Sequence, residues 1–212
     1  MTDRTRVELP VKAHERRSQA ERTAETRTKI IEAVVASIAE VGYQGTTATE
    51  ITSRAGVTWG AVQHHFGGKE GMLVAVLEDS FNRFAARLDG VSPDGTTVEE
   101  RTSLFVDRAW AHFSGPHYRA TFEILLNYLS RERGGAGMTW QAQMTRAWDE
   151  VWRRIFADSR LSPARTAMLQ HYAVSVLSGL ASTTILAGPG IDVPADELDM
   201  LKQTLGRELA KS

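Results

Sequence analysis

Cysteine is missing from all 212 residues. That single absence excludes disulfide staples, thiolate zinc sites, iron–sulfur clusters and cysteine nucleophiles, and it fits a reducing cytoplasm. Long apolar runs are missing as well. The opening stretch MTDRTRVELPVKAHERRSQAER holds no hydrophobic core for a secretory signal. The longest weakly polar stretch, YAVSVLSGLASTTILAG at 172–188, is broken by hydroxyl residues and two glycines and is short for a membrane span. It reads as a buried helix, and no membrane partner is expected. An excess of charge is lacking too: the formal net charge is −1, so bulk electrostatics announce no nucleic-acid binder. No GxSxG, P-loop, dinucleotide fingerprint, HExxH or Glu-x-x-His di-metal pattern occurs. An enzyme is therefore not expected, nor a cofactor, nor a bound metal.

What remains is ordinary for a globular protein with a core: 42% apolar and 24% charged residues. Period-two alternation is nearly absent, and helical periodicity recurs between Gly and Pro breakers. The first helix opens at Ser18, where SQAE is a capping box. Its apolar stripe is Ile30, Ile31, Val34, Val35, Ile38 and Val41, and Gly42 follows as a C-terminal cap. TATE, Thr47 to Glu50, is a second capping box and starts a short helix ending near Ala55. Thr58 caps a third helix over 59–65, and a longer one runs from Lys69 to about Leu88. Helical patterns follow at 97–113, 117–133, 137–158, 163–187 and 195–210. The expected fold is all-α, with about nine helices.

The stretch AGVTWGAVQHHFGGKE, residues 55–70, carries the chemistry. Helix 47–55, a glycine turn at Gly56 and helix 58–65 have helix-turn-helix proportions. Ile51, Ala55, Val57 and Val62 supply the small apolar contact between the two helices. Thr58, Trp59, Gly60, Gln63 and His64 are left facing outward. That set suits a DNA groove: Gln can pair with adenine, a helix N-terminus attracts phosphate, and Gly60 admits close approach. His64 and His65 make a poor metal site, because adjacent helical residues point about 100° apart. Residues 1–29 hold eight Lys/Arg and five acids. Residues 1–17 read either as a solvated tail or as a basic arm that tracks DNA.

These residues resemble the N-terminal domain of the tetracycline-repressor (TetR) family of bacterial transcription regulators. The resemblance runs from Thr26 to Leu77 through GYQGTT (42–47), Ile51, AGVT (55–58), Gly60, HF (65–66) and KEGML (69–73). It implies a three-helix DNA-binding domain over 18–68 and a larger helical ligand-binding and dimerisation domain over 69–212, in a bacterial cytoplasm. It further implies phosphate contacts at Thr47 and Lys69, a recognition helix opened by Thr58, Trp59 and Gly60, and a DNA-side position for His65. Two departures stand out. Gln63 replaces the family's usual tyrosine, so it either donates to a phosphate or reads a base edge. Thr52 replaces a small alanine.

The remaining two thirds are read more coarsely. Trp140, Met144, Trp148 and Trp152 recur every four residues and form one aromatic stripe. With Trp110, Phe113 and Phe122, and polar anchors such as His112, Asn127 or His171, they suit an effector pocket or simply a well-filled core. Helix 163–187 is rich in small residues, and helix 195–210 carries Leu198, Leu201, Leu205 and Leu209. Together they resemble the family's dimer interface, a buried intramolecular role being the alternative. The expected function is a homodimeric regulator, a repressor released from an approximately palindromic operator in double-stranded DNA by a small, largely apolar or aromatic effector. The alternatives are a helical small-ligand-binding protein, or a regulator without ligand control.

Overall fold

The computed structural model describes residues 18–129, 136–187 and 194–211, with backbone alone at 128–129 and 136–141. No strand occurs among the described residues, as the periodicity predicts. The helices are α1 (Gln19–Gly45), α2 (Ala48–Ala55), α3 (Trp59–Phe66), α4 (Lys69–Arg87), α5 (Val98–Phe113), α6 (Pro116–Ile124), α7 (Ala136–Ile155), α8 (Pro163–Ala187) and α9 (Ala195–Leu209). One π-helical turn, Leu125–Leu129, prolongs α6. The expected arm over 1–17 and the tail of the expected helix 117–133 lie outside the described residues.

Helix starts have local causes. The Ser18 hydroxyl accepts from the Glu21 N–H at 3.2 Å, while the Glu21 carboxylate accepts from the Ser18 N–H at 2.6 Å. This is the reciprocal box predicted for α1. At α2 only half of the expected box forms. Thr47 Oγ1 accepts from the Glu50 N–H at 3.2 Å, but the Glu50 carboxylate is drawn one turn onward to Arg54. A charged donor on the same helix face wins it from the backbone amide. Gly42 breaks the regular helix where a cap is expected, its backbone non-helical at φ 72°, and one further turn runs on to Gly45.

Two apolar cores form. The first gathers Ile30, Ile31, Val34, Val35 and Ile38 of the α1 stripe, Ile51 and Val62, and then Met72, Leu73, Val76 and Leu77 from the first half of α4, with Ala120 and Ile124 of α6. Val41 of the expected stripe is left exposed beside the Gly42 kink. The second gathers Phe84 and Leu88 at the end of α4 with side chains of α5, α7, α8 and α9. Helix α4 therefore feeds both cores, and packing crosses the expected boundary between residues 68 and 69.

The leucine stripe expected at a dimer surface is turned inward. Leu198, Leu201, Leu205 and Leu209 are buried, and α9 lies along α5 of the same chain. Each such leucine contributes roughly 1.5–3 kcal/mol of burial to the fold itself. Helix α8 likewise turns Ala173, Leu177 and Ala181 inward. A 3.6-residue period marks an apolar face without saying which chain covers it. What α8 leaves outside is Met168, Tyr172, Ser175, Gly179, Thr183 and Leu186, three or four residues apart, with Leu186 82% exposed.

Candidate functional site

The first candidate surface is built on the turn between α2 and α3. Gly56 holds φ 63° and ψ 36°, a left-handed conformation that a side chain would strain. Ile51 and Val62 are buried beneath it, with Ala55 and Val57 packed against them. Thr58 caps α3, its hydroxyl accepting from the Ala61 N–H at 3.3 Å. A second glycine acts by size. A Cβ on Gly71 would sit 1.9 Å from the Phe66 carbonyl oxygen, so α4 starts in direct contact with the end of α3. That contact sets where Lys69 stands relative to α3. The sequence singled out KEGML as a unit but not the reason for its glycine.

Of the residues read as DNA-facing, Thr47, Thr58, Gly60, Gln63, His64 and Lys69 are exposed. Gly60, Gln63 and His64 share one face of α3, at i, i+3 and i+4. Trp59 is half-buried and packs on the first core, so part of its ring serves the fold. His65 is half-buried too. Its carbonyl accepts from Arg27 Nη1 at 2.8 Å, and the same guanidinium lies 4.5 Å over the Phe66 ring. Burial, then His64 and Arg27, push the His65 imidazole below its ordinary range, which leaves it neutral at pH 7. The His64 and His65 rings meet edge to face, with centroids 5.2 Å apart. The Lys69 ammonium stands 5.7 Å over the Tyr43 ring and has no carboxylate partner among the described residues. Arg54, by contrast, is taken up by Glu40 and Glu50. Among the described residues no group of three or more His, Asp or Glu could hold a metal ion. No described helix is long and apolar enough to cross a membrane.

The second candidate is a cavity of about 720 Å³, open to solvent and lined by α4, α5, α6, the π turn, α7 and α8. That volume suits a drug-sized molecule. His112, Phe113, Phe122, Met144, Trp148 and His171 line it, among those named from sequence. Trp148 stacks on Phe84 with centroids 5.0 Å apart, and its indole N–H is buried without a partner among the described residues. Trp152 falls elsewhere: it is 2% exposed and packs edge-on against Phe105 in the second core. Trp110 packs against that core without reaching the cavity. The Asn127 side chain turns toward α1, accepting from Gln44 Nε2 at 3.1 Å. The Trp140 side chain lies outside the described residues. Sequence reasoning missed Ser80, Phe81 and Phe84 on α4, Tyr118 on α6 and Gln170 on α8. The available signal was a neutral polar residue, Gln170, on the inward stripe of Leu169, Ala173 and Leu177.

Polar groups in the wall are deeply placed. His112 Nε2 is 3.4 Å from Ser80 Oγ. Burial first, then Arg87 and His117, push the His112 imidazole down to about 4, so it is neutral at pH 7. Burial raises the Tyr118 phenol to about 12, with a hydrogen bond to Ser178 opposing.

Helix α6 joins the cavity to the first core. Tyr118, Thr121 and Phe122 line the cavity. On other sides of the helix, the Glu123 carboxylate accepts from the Tyr43 backbone N–H at 2.7 Å, and His117 Nε2 lies 3.4 Å from Glu32 Oε1. Arg83 of α4 bridges Asp79 and Glu32 beside it.

Comparison with known proteins adds four findings. Residues 30–76 match the family model described as bacterial regulatory proteins, tetR family. The HTH-type transcriptional regulator CymR of Pseudomonas putida is 36% identical over 89 residues, 40% of this chain and 44% of its own length. The fatty acid metabolism regulator protein of Bacillus subtilis is 28% identical over 89 residues, 42% of this chain and 46% of its own. The chain thus matches under half the length of these curated relatives. In fold, it is similar to the transcriptional regulator FadR of Bacillus subtilis in complex with stearoyl-CoA, at a TM-score of 0.64 and 17% identity, covering 86% of this chain and 96% of that one.

Proposed function

Because the chain belongs to the tetR family of bacterial regulatory proteins, we propose that it is a DNA-binding transcriptional regulator that acts as a homodimer. In this reading it represses from an approximately palindromic operator and is released by a small, largely apolar or aromatic effector. The observation that carries the reading is the face of α3. Gly60, Gln63 and His64 are exposed side by side, and the capped start of that helix and Lys69 stand near by to meet phosphate. Phosphate contacts would set register, and the α3 face would read base edges.

Dimerisation is supported by the exposed stripe Met168, Tyr172, Gly179 and Leu186 on α8, with Met200 of α9, 66% exposed. Two such faces packed about a twofold axis would present two α3 helices to successive grooves. Effector control is supported by the cavity and by α6, which touches both it and α1. An effector acts only through its differential affinity for the DNA-competent and released shapes. The stearoyl-CoA of the Bacillus subtilis FadR structure is not the expected effector. Among the described lining residues no lysine or arginine awaits its phosphates.

Selection of bound sequences from a random DNA library with the full-length protein tests the reading. A palindromic consensus is the expected outcome. A folded protein that enriches no sequence, with or without extracts that supply small molecules, overturns it in favour of a helical ligand-binding protein.

A further inference from the structure

Gln170 is a polar side chain on the inward stripe of α8 that apolar packing does not explain, and in the same wall the Trp148 indole N–H is buried with no hydrogen-bond partner among the described residues. Gln170 is 7% exposed, lines the cavity, and its carboxamide has no hydrogen-bond partner among the described residues. Its polar atoms stay open to the cavity, where water or a ligand completes the hydrogen bonds that the protein leaves unmade. Leu169, Ala173 and Leu177 on the same helix are buried apolar contacts, so a leucine at 170 would have served packing alone.

The charge pattern around it is equally selective. Among the described lining residues no lysine or arginine occurs, and the only carboxylate is Asp149. His112, beside Ser80 in the wall, is held neutral by burial at physiological pH. An anion placed here would give up part of its hydration to an apolar wall with no lysine or arginine among its described residues, against a carboxylate of its own sign. Aromatic faces from Phe84, Phe122 and Trp148 make up much of the remaining wall. They favour flat apolar rings.

We propose that the cavity takes an uncharged, ring-bearing molecule whose amide or carbonyl group pairs with the Gln170 carboxamide, and that it rejects carboxylates and phosphates. A carboxamide offers a donor and an acceptor side by side, and an amide on the ligand returns the complement of both. The inference rests on the reading of this cavity as the effector site, and it names the chemistry of that effector.

Three probes on one skeleton test it: 4-phenoxybenzamide, 4-phenoxybenzoate and diphenyl ether, titrated into the full-length protein and followed by tryptophan fluorescence and calorimetry. The amide should bind best, and the carboxylate about a hundredfold more weakly. Gln170→Leu should weaken the amide about tenfold and leave diphenyl ether unchanged. Equal or tighter binding of the carboxylate, no binding by any probe, or a Gln170→Leu variant indifferent to the amide each overturns the proposal. Parallel titrations against operator DNA separate the two levels. Probes that bind as expected but never alter DNA affinity remove the effector reading and leave the pocket chemistry standing. A carboxylate that binds best and releases DNA removes the chemistry and leaves the effector reading.

Discussion

Gln63 and Lys69 are both exposed and polar, yet they stand to make different demands on DNA. A lysine meets the phosphate backbone as a point charge, and Lys69→Ala should weaken binding to all sequences alike. The slope of log K against log salt should fall by about 0.9. Gln63 shares a face with Gly60 and His64, and on a recognition face its amide would be placed to pair with a base edge. Gln63→Ala should relax preference at a single operator position, at a cost of about 1–3 kcal/mol there. Uniform weakening in a competition series would instead make Gln63 a phosphate contact. At this scale the sequence was readable where chemistry is local. Thr58 as a cap and Gly56 as a turn follow from neighbours a few residues away. The split of Trp148 to the cavity and Trp152 to the core does not, because both lie on one helical stripe and only α4 and α5, packed across it, separate them.

Helix α6 is the element on which ligand control would turn. It places Tyr118 and Phe122 in the cavity wall and the Glu123 carboxylate on the amide that follows the kink of α1. A ligand that shifts α6 thereby strains or frees the end of α1. Glu123→Ala should leave ligand affinity nearly unchanged while shrinking the ratio of DNA affinities measured without and with ligand. Coupling lost together with ligand binding would show instead that Glu123 merely supports the cavity. Nothing in the sequence announced this role, since Glu123 looks like an ordinary solvated acid on an amphipathic helix. Its partner lies eighty residues away. The α9 leucines teach the same lesson in reverse: their period was plain, and their partner, α5 of the same chain, was not.

For the whole molecule, acid is the sharpest test of the packed state. The His112 imidazole titrates near 6.5 when unfolded and is pushed to about 4 by burial, then by Arg87 and His117, in the fold. Between those values the unfolded chain binds the additional proton, so stability is full above pH 6.5 and declines as pH falls toward 4. The loss at the lower end is roughly 3 kcal/mol. Urea unfolding at pH 7 and pH 4.5 should show most of that drop, and His112→Gln should flatten it. An unchanged drop in the variant would assign the acid sensitivity to other groups.

The double duty of α4 bears on how such a protein can be recombined. Its first half completes the core beneath the α2–α3 turn, and its second half walls the cavity through Ser80 and Phe84. A reading head transplanted onto a foreign sensor with a junction at residue 68 would leave Met72, Leu73, Val76 and Leu77 behind, and with them the floor of its own core. A workable graft carries α4 through Leu88 and joins in the loop before α5. It must also find, in its new host, a helix able to stand where Ala120 and Ile124 stand here.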